Sequence, residues 1–319
     1  ERRASRLLFD RLAEPGGLRS WAEERLPRLD PRYELSARRQ EGGDPERDLE
    51  RIGLEYRPSG PGKPVQDLWL KSGWLSTHPD DRSLRLRASF GREGDDDSSP
   101  DARRHALVPA LADAFLPLAS HVTTSTQLRE QVETASGEQV LFSQHIGYWN
   151  APEGGALFHH DAFGDPDPSG QIGVAYVQVS GATAWLALPI ADLCDRVIEF
   201  GEWLQEGEMP WVRSTLFGTG QTARFSAFLR KLEDRDALTS ELALPGQGAL
   251  GPLVNRGPEF TGLLADCGHA FLLRAGDAIV LPNHGTSRTA MHSVFAVTDE
   301  AGDPGYALSI GLRRAERAQ

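Results

Sequence analysis

The sequence predicts an α+β fold, on three observations: helical spacing of apolar residues before residue 138, a change to period two at that point, and one return to helical spacing inside the β-rich remainder. Two regions follow. Residues 1–137 read as a mostly helical and loop region that packs on a core, and residues 138–319 as the β-rich core with a helical insertion at about 190–240.

In the first region, loop-like stretches occur at Glu41-Gly42-Gly43-Asp44-Pro45, at Arg57-Pro58-Ser59-Gly60-Pro61-Gly62 and at residues 94–100. The acidic run at 95–97 reads as a solvated loop. Leu107, Leu111, Phe115 and Leu118 then recur at helical spacing, and Leu128 and Val132 repeat the pattern in a second helix. From 138 on, Val140, Phe142, Gln144, Ile146 and Tyr148 alternate with Leu141, Ser143, His145, Gly147 and Trp149, which is a strand. Further strands are expected at 157–162, 172–179 and 184–188. Ile190, Leu193, Cys194, Val197 and Leu204, then Phe225, Phe228, Leu229 and Leu232, return to helical spacing. Strands resume at 270–273, 277–281, 292–297 and 306–312.

Composition narrows the function. With 319 residues, 39% hydrophobic and 25% charged, the chain can bury a substantial core. A net charge of −12 opposes a phosphate backbone, so nucleic acid is not an expected partner. The same acidic surface favours a neutral or cationic substrate. No apolar run is long enough to span a membrane, and Glu1-Arg2-Arg3-Ala4-Ser5 has no apolar signal core behind it, so a cytoplasmic protein is expected. Cys194 and Cys267 are too few for a disulfide framework and read as packing residues.

The chemistry concentrates in Leu157-Phe158-His159-His160-Asp161-Ala162. On a strand, residues i and i+2 leave the same face, so His159 and Asp161 can grip one ion while His160 points away. A second histidine on a later strand would complete a 2-His-1-carboxylate set, which leaves coordination positions open for oxygen chemistry on Fe(II). His292 opens the apolar strand that ends at Val297, downstream of Gly276-Asp277-Ala278-Ile279-Val280-Leu281-Pro282. His284 is the alternative. With this HxD…H set and the Gly-Asp turn before a hydrophobic strand and Pro282, the chain resembles the Fe(II)/2-oxoglutarate-dependent oxygenases of the cupin-like superfamily. The resemblance covers roughly residues 138 to 314. It implies a double-stranded β-helix, or jelly-roll, core, with iron held by His159, Asp161 and His292.

The resemblance also implies 2-oxoglutarate as cosubstrate, whose free carboxylate needs a cation. Arg suits it because the planar fork binds a carboxylate bidentately. Arg313 shares a face with Ala307, Ser309 and Gly311 on the last strand, with Arg288 and Arg314 as alternatives. Ser309, Tyr176, Gln178 and Gln144 are further candidate contacts to the cosubstrate. No lysine lies between Asp161 and Lys231, which disfavours the Jumonji-type anchoring scheme. Tyr148, Trp149, Phe163 and Trp185 flank the expected mouth, and His145 is a candidate for the same cavity. The implied activity is oxygen-dependent hydroxylation of a small molecule, amino acid or peptide-derived substrate, with succinate and CO2 released. A metal-dependent cupin enzyme without 2-oxoglutarate, or a cupin-like binding module without metal, are the alternatives.

Overall fold

Two antiparallel sheets organise the chain in the computed structural model, which describes residues 2–40, 48–75, 82–91, 102–152, 154–161, 171–207, 210–218, 222–244, 250–283, 285–297 and 304–315. The N-terminal part begins with helices α1 (Arg2–Leu12) and α2 (Gly17–Arg25). Four strands follow, β1 (Tyr33–Gln40), β2 (Asp48–Tyr56), β3 (Val65–Leu75) and β4 (Ser83–Phe90). Helices α3 (Ala102–Phe115), α4 (Ala119–Thr123) and α5 (Thr126–Ser136) lead to β5 (Val140–Asn150). Next come β6 (Gly155–His159), β7 (Gln171–Ser180) and β8 (Ala182–Pro189).

A run of helices then departs from the sheets: α6 (Ile190–Glu206), α7 (Pro210–Phe217), α8 (Thr222–Leu232), α9 (Arg235–Leu242), α10 (Gly251–Arg256) and α11 (Pro258–Asp266). The chain returns through β9 (Ala270–Arg274), β10 (Ala278–Pro282), the single turn α12 (Gly285–Arg288), β11 (Ala290–Val297) and β12 (Gly305–Arg314). One sheet has the order β1-β2-β3-β4-β5-β12-β7-β10, the other β6-β11-β8-β9. From β5 onward, consecutive strands therefore fall alternately into the two sheets, apart from the step from β8 to β9.

The N-terminal region differs from the sequence reading. Residues 33–40, 48–56, 65–75 and 83–90 are not helix and loop but four strands, and β4 pairs with β5 from Leu84↔Trp149 to Ala88↔His145, so the larger sheet joins strands from both sides of residue 137. One face of this extension is apolar: Leu54, Leu68, Leu70, Leu84, Leu86, Ala88 and Phe90 are buried together with Leu8, Leu12, Leu18 and Leu111 from the helices. Two long-range hydrogen bonds pin the helices there. Trp149 donates its indole N–H to the Ser5 carbonyl at 2.9 Å, and Tyr306 donates its hydroxyl to the Pro117 carbonyl at 2.9 Å.

The insertion is longer than expected, reaching Asp266, and has a core of its own. On α6 the buried positions Ile190, Leu193, Cys194, Val197, Phe200, Gly201 and Leu204 form one stripe, which is why this segment is a helix rather than a strand. Gly201 lets α8 approach, since a Cβ there would lie 2.2 Å from Leu232 Cδ1. Cys194 packs in this core as expected, whereas Cys267 is exposed. The acidic run at 95–97 lies outside the described residues. Among the described residues, no helix is long and apolar enough to cross a membrane.

Candidate metal centre

His159 ends β6 and His292 stands third in β11, and the antiparallel register places them directly opposite one another. Their rings lie 4.2 Å apart between centroids. Asp161 is not on the strand, as its spacing had suggested. β6 stops at His159 and the chain bends at Asp161, yet the carboxylate still turns inward, with Oδ2 at 3.9 Å from His292 Nε2. Ligand atoms of His159, Asp161 and His292 all lie within 4.8 Å of one another.

The backbone presets the tautomers. His159 Nδ1 lies 2.7 Å from the Leu157 carbonyl and His292 Nδ1 lies 3.3 Å from the Ala290 carbonyl. A carbonyl only accepts, so each Nδ1 must carry the proton and each Nε2 keeps its lone pair for a metal. Burial, reinforced by the neighbouring His159, pushes the His292 imidazole down to about 4 against the opposing pull of Asp161. His292 is therefore neutral at pH 7, the form that ligates. Trp185 stacks on it at 5.5 Å with planes 27° apart and holds the ring from the other side. Two imidazoles whose Nδ1 atoms are tied to backbone carbonyls and one carboxylate, converging on a point, fit a divalent metal of the iron type.

Gly155 makes this pairing possible. A Cβ there would sit 1.9 Å from the Val294 carbonyl oxygen, so the start of β6 can approach β11 this closely only as glycine. The insertion braces the same strand: Phe158 donates its backbone N–H to Asn255 Oδ1 on α10 at 2.7 Å. His160 points away from the triad, as its parity predicts. Burial lowers its basicity, and it hydrogen-bonds to the backbone of Ala243 beyond α9.

The three ligands open onto a narrow cavity of about 60 Å³, lined also by Tyr148, Asn150, Tyr176, Trp185 and Ser309. Two hydrogen-bonded sets hold the polar lining residues in place. Asn150 donates to the Tyr176 hydroxyl at 3.0 Å, and the Trp185 indole N–H donates to Thr183 Oγ1 at 2.8 Å, which in turn donates to Gln178 Oε1 at 2.8 Å. Asn150 and Thr183 were not singled out in the sequence. The signal for Asn150 was available, because it shares the face of β5 with Tyr148.

The other candidates are distributed as follows. Ser309 and Tyr176 are register partners on β12 and β7 and both line the cavity. Gln178 is fully buried, its amide spent on Thr183 and on the Ser180 carbonyl at 2.7 Å, and it does not line the cavity. Arg313 is buried, on the same face of β12 as Ser309 by strand alternation, but it does not line the cavity either. Of the two alternatives, Arg288 is exposed at the end of α12, and Arg314 pairs with Glu138 at 2.8 Å. Trp149 is buried on the opposite face of β5, against Tyr306, and is not at the mouth. His145 shares that face, paired with Ile310 and Ala88, because strand alternation sets it apart from Tyr148 and Asn150. His284, Phe163 and the side chain of Gln144 lie outside the described residues.

No family model matches the chain, and no curated protein matches it. Among solved structures it is similar to YcfD, a ribosomal oxygenase from Escherichia coli, at 13% identity with a TM-score of 0.26, over 86% of this chain and 41% of that one. A second crystal structure of the same ribosomal oxygenase gives 13% identity and a TM-score of 0.26 over 86% and 42%. The chain thus spans about two fifths of the length of the structures it matches. At such a TM-score the likeness carries no weight for fold or chemistry, and the site stands on its own geometry.

Proposed function

We propose that the chain is an Fe(II)- and 2-oxoglutarate-dependent oxygenase whose core is a double-stranded β-helix. The observation that carries this reading is the convergence of His159, Asp161 and His292 within 4.8 Å, with both Nε2 atoms free to ligate, at the mouth of a cavity between two sheets. The strand order supports it: β5, β12, β7 and β10 form one four-stranded half, β6, β11, β8 and β9 the other, which is the alternation a jelly-roll requires.

His159, Asp161 and His292 would hold the iron. When bound, it supplies oxygen activation coupled to decarboxylation of a 2-oxo acid. The protein's own residues do the rest. Trp185 fixes the orientation of His292, the apolar walls Val174, Leu281 and Val294 exclude water, and Asn150, Tyr176 and Ser309 offer hydrogen bonds inside the cavity. Arg313 is the proposed cation for the distal carboxylate of 2-oxoglutarate. It is the one buried arginine of the three candidates, and an arginine fork there would orient the cosubstrate by paired charge-assisted hydrogen bonds. The product would be a hydroxylated small molecule, amino acid or peptide-derived group, with release of succinate and CO2.

A second reading is a metal-dependent cupin-like enzyme that does not use 2-oxoglutarate. It is favoured by one observation: among the described residues, no Lys or Arg lines the cavity. Succinate formation against 2-oxoglutarate concentration, with iron measured in the same samples, separates the two. Under the first reading Arg313→Ala keeps its iron and loses apparent 2-oxoglutarate affinity by tenfold or more, since a charged hydrogen bond contributes about 1.5–3 kcal/mol and each 1.4 is a factor of ten. Arg313→Lys recovers part of the loss. Unchanged dependence on 2-oxoglutarate in Arg313→Ala removes Arg313 from the site. Absence of succinate from the iron-loaded wild type favours the second reading.

A further inference from the structure

The sheet extension β2–β4 is apolar on the face that meets the N-terminal helices, but its opposite face continues the cavity wall and is cationic. The register makes this plain. Arg51 on β2 pairs with Lys71 on β3, Lys71 with Arg87 on β4, Arg87 with Ile146 on β5, Ile146 with Ser309 on β12, and Ser309 with Tyr176 on β7. Cross-strand partners share a face, so the row runs straight into the cavity that Ser309 and Tyr176 line. One step along, Arg85 pairs with Tyr148, which lines the cavity, and Leu75 at the end of β3 lines it as well.

Burial grades along this row. Arg51 and Lys71 are buried, while Arg85 and Arg87, next to β5, are half-buried. Arg85 forms no ion pair among the described residues, although the chain carries a net charge of −12. A second observation ties the arginines to the metal centre. Burial pushes the Tyr148 phenol up, the Asp161 carboxylate pushes it further, and Arg85 and Arg87 pull it back, so the metal ligand and both guanidinium groups lie within electrostatic reach of this one ring. Strand spacing puts Arg85 one step, ~5 Å, from Tyr148, and an arginine side chain spans that gap.

We propose that Arg85, supported by Arg87, binds an anionic group of the substrate, so that the substrate is a carboxylate- or phosphate-bearing molecule whose charge sits beside Tyr148 while its reacting end enters the cavity. This deepens the oxygenase reading, on which it rests for the identity of the bound molecule as substrate. It also reverses the expectation from net charge. The overall negative surface would keep anions away, but a local pair of half-buried arginines acts at a range where the distant charges are screened.

The test uses the full chain without metal, so that it does not depend on the iron site. Succinate, inorganic phosphate and the uncharged diamide of succinic acid are titrated while the arginine Nε–Hε signals are followed by NMR, with the Arg85 signal assigned by its loss in Arg85→Lys. The expected result is a saturable shift of the Arg85 signal with succinate, phosphate or both, and none with the diamide. The tighter of the two anions identifies the group. Read at the Arg87 signal, binding should weaken at least tenfold in Arg85→Gln and less in Arg85→Lys, and in Arg313→Ala it should persist at the Arg85 signal. No shift of the Arg85 signal with either anion overturns the proposal, as does wild-type affinity in Arg85→Gln. A chain that binds anions at Arg85 but takes up no iron keeps the anion site and loses the oxygenase reading. A chain that turns over 2-oxoglutarate with no anion response at Arg85 does the opposite.

Discussion

His159 and His292 are direct cross-strand partners, the last residue of β6 facing the third of β11, with ring centroids 4.2 Å apart. Everything proposed for the site depends on that register. Two residues 133 positions apart in the chain meet because β6 and β11 pair next to each other in the smaller sheet, and a one-residue slip would turn one imidazole to the other face.

Gly155 is the position where this pairing is most easily disturbed. An added Cβ would lie 1.9 Å from the Val294 carbonyl oxygen and would force the strands apart at the start of β6. Gly155→Ala is expected to lower stability by about 1–3 kcal/mol, the usual range for overpacking. It should also weaken metal binding at least tenfold. Thermal unfolding and Co(II) titration on the same preparation check both effects.

The residue between the two adjacent ligands should behave differently. His160 faces Ala243 and the helical insertion, so His160→Ala is expected to keep one metal per chain and lose about 1 kcal/mol of stability with its hydrogen bond. Loss of metal in this variant would mean that His160 itself coordinates.

His145 sets an acid limit on the fold. It is fully buried between β4 and β12, neither ring nitrogen has a hydrogen-bond partner among the described residues, and burial pushes its imidazole down to about 4. The unfolded chain binds this proton near pH 6.5, so unfolding takes up a proton between those values. The stability that depends on neutral His145 is therefore complete above about pH 6.5 and is lost as the pH falls toward 4, by about 1.4 kcal/mol per pH unit. His145→Leu should be more stable than wild type, and the difference should widen from pH 7 to pH 5. Melting temperatures across that interval give the slope. A difference that stays constant with pH would mean that the imidazole takes up its proton as readily in the folded chain as in the unfolded one.

How much of this was legible in the sequence follows from how local each signal is. The HxD tripeptide and the strand-borne His292 could be read directly, because period-two alternation and a Gly-Asp turn are properties of a few consecutive residues. Even there the local rule was only partly right: Asp161 reaches the site from a bend, not from the strand. The strands β1–β4 were missed although β4 carries the period-two signal, with Leu84, Leu86 and Ala88 alternating with Arg85 and Arg87, because the Gly- and Pro-rich stretches between the strands dominated the pattern. That charged face makes sense only beside β5, a pairing no local window contains. Arg313 illustrates the opposite limit. Its face on β12 was legible from alternation, but its distance from the cavity was not.

The central claim is that one divalent metal is held by His159, Asp161 and His292, and metal stoichiometry tests it most directly. Purified chain is equilibrated anaerobically with Fe(II), freed of excess metal and analysed for iron, alongside His159→Ala, Asp161→Ala and His292→Ala variants checked for folding by circular dichroism. The account predicts one iron per wild-type chain and strong depletion in each folded variant. Stoichiometric iron in folded His292→Ala, or none in the wild type, would contradict it.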